Sequence, residues 1–406
     1  MHRLRERYNW YYCLIYAIPI LALAFVLVYH YSVMREVFTW SDYSPHFLVV
    51  EDLLEGDLSP VGKRDPHLFF YPLFHITIAL LSRVTGSIAW TAVIVIMLSL
   101  TLTILGVRKL ALRQLTTPTS MQLYAVDFIA VTCVAIGAIA GPVTGGRYYI
   151  PYGSFNVWHN PTTTFMRPFA IYATYYFMEL WDALPWDALP DAERRRELRR
   201  PALIFSILLF LSVLAKPSFA LVFLIAAGLL TLARFLRRVG AQPRAAFRCA
   251  VTLLVCVLPS IALMLVQEVL CSKYGMLDFG LQLRPLSDIF SLSTLRGLAA
   301  LYVAPLLFLV FGFKYIRKEP LCQLAYVMLG AGFFIWYCTV QGLPSMTDYA
   351  WSYYYTLFFG IVIAAVFSVK YVKKLWYRLC FAGVWGLQLF YGIKYMYYIE
   401  VGGKWF

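Results

Sequence analysis

Trp40-Ser41-Asp42-Tyr43-Ser44-Pro45-His46 is the stretch on which the reading of this chain turns. An apolar run from about Tyr11 to Val33 precedes it. An acidic run (Glu51, Asp52, Glu55, Asp57) follows, and then Pro66-His67-Leu68-Phe69-Phe70-Tyr71-Pro72-Leu73-Phe74-His75. The apolar run is long enough to cross the roughly 30 Å of bilayer hydrocarbon. Asp42 therefore stands where the chain has just left the membrane. An ionisable side chain there, flanked by aromatic residues, is a candidate for chemistry between water and lipid. The plainer alternative is a solvated loop.

Composition bounds the class. The chain has 406 residues, of which 61% are hydrophobic and 14% charged, against roughly 25% charged in soluble domains. The apolar residues recur in blocks near the roughly 20-residue length of a membrane-spanning helix, which predicts an all-α polytopic membrane protein. The net charge of +14 raises nucleic acid as a partner, but the placement of the charges argues against it. Basic residues cluster at the ends of apolar blocks: Arg3, Arg5 and Arg7; Arg108, Lys109 and Arg113; Arg194 to Arg200; Arg234 to Arg238; Lys314 to Lys318; Lys370 to Lys374. Such clusters mark cytoplasmic loops facing anionic headgroups. The basic start without a small-residue cleavage site reads as a retained first span. The eight cysteines lie mostly within apolar blocks and form no CxxC pair, so neither a metal site nor a disulfide framework is indicated.

The charge rule then phases the chain into about eleven spans. The short piece Leu68 to Leu81, broken by Pro72 and His75, suits an interfacial helix, because a crossing there would put Arg108, Lys109 and Arg113 outside. Residues 34–86 then form a long first extracytoplasmic loop with interfacial helices. Spans follow near Ile88 to Val107, Leu123 to Gly141 and Arg167 to Trp181, with residues 142–166 as a second outer loop. Further spans lie near Ala202 to Ala215, Phe219 to Phe235 and Val251 to Leu270, and residues 271–295 form a later loop. The last four run near Leu298 to Phe313, near Leu321 to Val340, up to Lys370, and on to the C-terminus. The direct repeat Trp181-Asp182-Ala183-Leu184-Pro185, copied as Trp186 to Pro190, falls in a cytoplasmic linker with no function evident from its residues.

Asp42 is the candidate base: one carboxylate at the membrane surface suffices to take a proton from a sugar hydroxyl. Tyr43 follows it, so there is no DxD pair and no metal is expected. Glu51, Asp52, Glu55 and Asp57 read as the solvated face of an amphipathic helix. In the second loop, Gly145-Gly146-Arg147-Tyr148-Tyr149, Asn156-Val157-Trp158-His159-Asn160-Pro161-Thr162 and Arg167-Pro168 combine stacking faces with hydrogen-bonding groups, as a sugar pocket does. An aromatic interfacial belt is the alternative. Lys216, between Leu214-Ala215 and Pro217-Ser218-Phe219, is the lone charge of a tight outer turn. It could meet a phosphate or snorkel to the headgroups, and Arg284 allows the same two readings. His67 and His75 read as hydrogen-bonding residues of the loop, Asp127 as structural, and Asp348-Tyr349-Ala350-Trp351 as the edge of a pocket.

Together, Trp40 to His46, the interfacial piece Pro66 to Gly86 and the alternating spans resemble the GT-C glycosyltransferase superfamily over roughly residues 1–300. Residues 301–406 stand as the variable C-terminal helices. Asn156 to Thr162 and Leu214 to Ser218 resemble segments of bacterial surface-polysaccharide membrane proteins. The resemblance implies an inverting transferase that moves a sugar from a polyprenyl-phosphate donor, without a further cofactor, to a glycan or lipid-linked acceptor at the extracytoplasmic face. It implies Asp42 as general base, Arg147, Lys216 and Arg284 at the carrier phosphate, and His46, Tyr149, Asn156, Trp158, His159 and Arg167 around sugar and acceptor. The rival expectations are a polymerase or ligase using a polyprenyl-diphosphate-linked glycan, and a lipid-linked glycan transporter.

Overall fold

The computed structural model describes residues 2–34, 42–56, 71–139, 156, 158–189, 191–273, 282–283, 292–340 and 348–400. Among them the chain forms thirteen α-helices. They are α1 (His2–Ser32), α2 (Tyr43–Glu55), α3 (Leu73–Thr85), α4 (Ile88–Arg113), α5 (Ser120–Thr132), α6 (Pro161–Ala183) and α7 (Ala192–Ala215). The rest are α8 (Ser218–Val239), α9 (Pro243–Lys273), α10 (Leu292–Ile316), α11 (Pro320–Phe333), α12 (Asp348–Tyr371) and α13 (Leu375–Glu400). A two-residue strand, Gln282–Leu283, pairs antiparallel with Thr339–Val340.

The helices follow from the solvent. Hydrocarbon offers no hydrogen-bond partner, so a crossing backbone must satisfy its own N–H and C=O groups. Seven segments are long and apolar enough to cross: Leu14–Ser32, Ile88–Arg113, Ala192–Ala215, Ser218–Val239, Pro243–Leu270, Leu295–Ile316 and Trp351–Tyr371. The chain is an α-helical, multi-pass membrane protein. The other four expected spans coincide with α5, α6, α11 and α13, which are shorter or less apolar than those seven. Burial separates the seven by role. The apolar window of α12 is 94% buried and that of α9 only 22%. A helix apolar on every side belongs at the centre of a bundle, and α12 sits there, surrounded by α4, α5, α8, α10, α11 and α13.

Several expected boundaries are corrected. The span expected to run to Gly141 loses its helix at Thr132. The chain turns through Cys133 to Ala135 and continues without regular structure to Ile139. Its backbone groups find other partners: Gly137 N–H donates to Gln388 C=O of α13 (2.8 Å) and Asn156 Nδ2 donates to Ile136 C=O (2.7 Å). The crossing is close because both contact residues are glycines. A Cβ on Gly137 would stand 2.8 Å from the Gly392 Cα. The helix expected to reach Val340 ends at Phe333, followed by a wider π-type turn, Phe334–Cys338. Residues 161–166, expected in the second loop, are instead the buried first turns of α6. Asn160 caps that helix and Pro161 takes the first position, where a missing N–H costs nothing.

The two short helices α2 and α3 are placed by aromatic packing. Tyr31 of α1 stacks on Tyr43 of α2 at 5.5 Å, and His46 of α2 meets Phe74 of α3 edge-on at 5.8 Å. Both helices end on a glycine with positive φ, Gly56 (84°) and Gly86 (73°), the left-handed geometry that terminates a helix at low cost.

The two ends of the bundle differ chemically. At one end, Arg113 reaches Asp182 (2.6 Å), Arg238 reaches Asp187 (2.7 Å) and Lys370 reaches Glu319 (2.8 Å). The tandem repeat does this bracing. Trp181 and Trp186 each lie 5.3 Å from the Arg234 guanidinium, while the two aspartates of the repeat take arginines from α4 and α8. Just inside, Arg108 and Asp127 pair at 2.7 Å with the carboxylate almost fully buried, in keeping with a structural Asp127. The 23 residues of α6 set the other end, which holds Asn160 and Asp42, roughly 35 Å away at 1.5 Å per residue.

Candidate active site

Asp42 is the residue before α2, a position where aspartate ordinarily accepts a hydrogen bond from its own helix. Here its side chain makes no capping bond. The carboxylate turns instead to the start of α6, where Asn160 Nδ2 donates to Asp42 Oδ2 at 2.6 Å. The backbone fixes the approach, since Asp42 N–H donates to His159 C=O at 3.1 Å. Two loops far apart in sequence are thus joined at consecutive residues, 159 and 160. Asp42 remains only partly buried, so its carboxylate is both oriented and reachable.

The other end of the same amide carries the cation. Asn160 Oδ1 caps α6 by accepting from Thr163 N–H (2.9 Å) and takes the hydroxyls of Thr162 and Thr163. Lys216 Nζ donates to it at 3.3 Å and to Thr162 Oγ1 at 3.3 Å. Lys216 closes α7, where a cation complements the carbonyl end of the helix dipole. Pro217 follows, and the residue before proline leaves the helical region. Its ammonium lies 4.3 Å from the centre of the Trp351 ring and 5.9 Å from that of Tyr71. At 4% exposed it does not snorkel to the surface. His159 also packs against Trp351, with ring centres 5.9 Å apart. Burial pushes the His159 imidazole below its ordinary pKa, Asp42 opposes that shift and Lys216 adds to it. Burial, followed by the Asp42 charge, keeps the Tyr43 phenol well above its usual range.

Asp42, His159, Asn160, Lys216 and Trp351 therefore form one constellation. A second cluster lies behind it. Asn156 donates to Cys133 C=O (3.1 Å) and Ile136 C=O and accepts from Arg167, whose guanidinium lies 4.5 Å from the Phe358 ring centre. Both residues are almost fully buried, as is Trp158 in the apolar core. The cluster receives the carbonyls released where α5 unwinds. His46 is buried too, its Nδ1 at 2.8 Å from His75 Nε2, which gives His75 the hydrogen-bonding place expected of it. Arg147, Tyr149 and Arg284, like His67, lie outside the described residues.

Sequence reasoning included Asn160 and Thr162 in the second-loop stretch but gave them no role of their own, and passed over Thr163. Their signal was legible: Asn-Pro-Thr-Thr is a capping residue, a proline at the first helical position and two hydroxyls in the first turn. No family model matches the chain, and no curated protein or solved structure matches it significantly.

Chemically, the constellation offers an oriented and partly exposed carboxylate, a lysine held at the opposite end of the same amide, and an indole face. A base for a hydroxyl, a charge for an oxyanion or phosphate, and a stacking face for a sugar ring are all within its means.

Proposed function

We propose that the protein is an inverting GT-C-type glycosyltransferase of the plasma membrane, with about eleven spans and its site on the extracytoplasmic face. It moves a sugar from a polyprenyl-phosphate donor to a glycan or lipid-linked acceptor in cell-surface polysaccharide synthesis. The observation that carries this reading is the Asn160 amide, which joins the Asp42 carboxylate to the Lys216 ammonium at the bundle end opposite the braced basic clusters. By the charge rule those clusters are cytoplasmic, which leaves Asp42 outside.

In this mechanism Asp42 takes the proton of the attacking acceptor hydroxyl while the bond from the anomeric carbon to phosphate oxygen breaks on the opposite face. Lys216 stabilises the departing lipid phosphate, joined by Arg147 and Arg284. Trp351 provides the stacking face for the sugar. The test is transfer from radiolabelled polyprenyl-phosphate sugars by purified protein in proteoliposomes. Asp42→Asn, nearly isosteric and still offering Asn160 an amide oxygen, should abolish transfer and leave the protein folded. Turnover by Asp42→Asn within tenfold of wild type would remove Asp42 as base.

One observation favours a second reading, a lipid-linked glycan transporter: α5 gives way to irregular backbone from Cys133 to Ile139 deep in the bundle. Interrupted helices of this kind build the binding sites of transporters. Movement of a fluorescent lipid-linked glycan across proteoliposomes, chemically unchanged and insensitive to Asp42→Asn, would select it. A polymerase or ligase would instead consume polyprenyl-diphosphate-linked glycans in the same assay.

A further inference from the structure

At the end of the bundle opposite Asp42, a cavity of about 600 Å³ opens between the ends of α10 and α12 and the start of α13. Its chemistry is divided. Lys314, Lys370, Lys373 and Lys374 surround it on the polar side, and Tyr315 and Tyr371 form part of its wall, stacked in parallel at 4.0 Å. Glu319 is occupied by Lys370 (2.8 Å) and by the Tyr371 hydroxyl. Lys314 lies 4.8 Å from the Tyr315 ring centre. Lys373 and Lys374 are exposed, on the three-residue link between α12 and α13. The apolar side turns outward: Phe311 is 45% exposed and Trp376 48% exposed, and the two pack edge-on at 5.1 Å. Large exposed aromatics beside lysines mark the depth at which hydrocarbon meets headgroup.

We infer that this cavity binds the headgroup of an anionic phospholipid, with the phosphate among Lys314, Lys373 and Lys374 and an acyl chain along Phe311 and Trp376. Among the described residues four ammonium groups face one carboxylate here, a balance that favours an anion. A free phosphate would satisfy them, but it would leave the aromatic side unexplained. A phospholipid satisfies both halves at once, because its charge and its chains are joined at the interface where the cavity opens. The inference does not depend on the chemistry at Asp42.

Native mass spectrometry of the purified full-length protein tests it, comparing phosphatidylglycerol with phosphatidylcholine as probes. Wild type should retain phosphatidylglycerol in preference. Lys373→Gln/Lys374→Gln should weaken that binding by about fivefold for each lysine removed, roughly thirtyfold together, with phosphatidylcholine unchanged. Retention by the double variant within threefold of wild type would overturn the site. A measurement on wild type alone guards against a folding defect: phosphatidylglycerol, and not phosphatidylcholine, should slow chemical acylation of Lys373 and Lys374. Equal rates with both lipids would also overturn it. Inorganic phosphate at millimolar concentration should give neither displacement of the lipid nor protection of the lysines. If it gives both, the site takes free phosphate and the lipid assignment fails.

Discussion

Replacing Asn160 by alanine removes several functions of one side chain. The helix cap on α6, an Nδ2 bond to a carboxylate and an acceptor for buried Lys216 all disappear. Losing an asparagine cap costs about 1 kcal/mol, and losing a hydrogen bond to a charged group about 1.5–3 kcal/mol. The expected loss is therefore about 2.5–4 kcal/mol before any cost of leaving Lys216 with fewer partners. Asn160→Ser separates the parts, because serine caps as well as asparagine but is too short to reach Asp42. It should lose only the carboxylate bond, about 1.5–3 kcal/mol. The assay is unfolding of the purified protein in mixed micelles with increasing denaturing detergent. Asn160→Ala, Asp42→Ala and their double variant form a thermodynamic cycle whose coupling isolates the pair. A coupling below about 0.5 kcal/mol, within the scatter of independent sites, would refute the claim that Asn160 orients Asp42. Transfer gives a second readout: Asn160→Ser should depress kcat more than the donor KM, because it misdirects the base while Lys216 stays in place.

Other perturbations probe the scaffold. Asp127→Ala leaves the part-buried Arg108 beside an empty carboxylate position and should cost about 3–5 kcal/mol, with Arg108→Ala/Asp127→Ala recovering part of that loss; a double-variant loss equal to the sum of the two single losses would show that the ion pair does not matter. Gly392→Ala drives a methyl group into the backbone of Ala135 and Gly137 and should abolish folding or cost more than about 3 kcal/mol. Gly386→Ala, on the same helix with open space around it, should be neutral or mildly stabilising, and similar behaviour of the two would dismiss the close crossing. The His159 imidazole has a depressed pKa in the folded protein, so as pH falls through about 6.5 the unfolded chain takes up the proton first. Its contribution to stability is complete above that value and is lost towards lower pH. His159→Gln should flatten the decline in stability between about pH 7 and pH 5, and an unchanged slope would assign the decline to other groups.

The local periodicity and the charge at its ends were enough to call a multi-pass helical protein. Burial in lipid leaves a backbone few options, and every long apolar block expected to cross became a helix. Asp42 and Lys216 were also visible, because a charge beside long apolar runs is conspicuous in one dimension. Three-dimensional packing decided what each charge does. Lys216 looked like the exposed tip of a turn, yet the fold buries it under Trp351, 135 positions later in the chain. Asn156 and Arg167 looked like loop residues for a sugar, yet they receive carbonyls from a helix whose early end no propensity foretold. The segment beyond that end is held by the Gly137–Gly392 contact, between residues 255 positions apart. The tandem repeat carried no meaning until α4 and α8 brought Arg113, Arg234 and Arg238 to its tryptophans and aspartates. Hydrophobic pattern is a local property and was readable from the chain; the pairing of polar groups depends on which distant segments become neighbours, and only tertiary structure settles that.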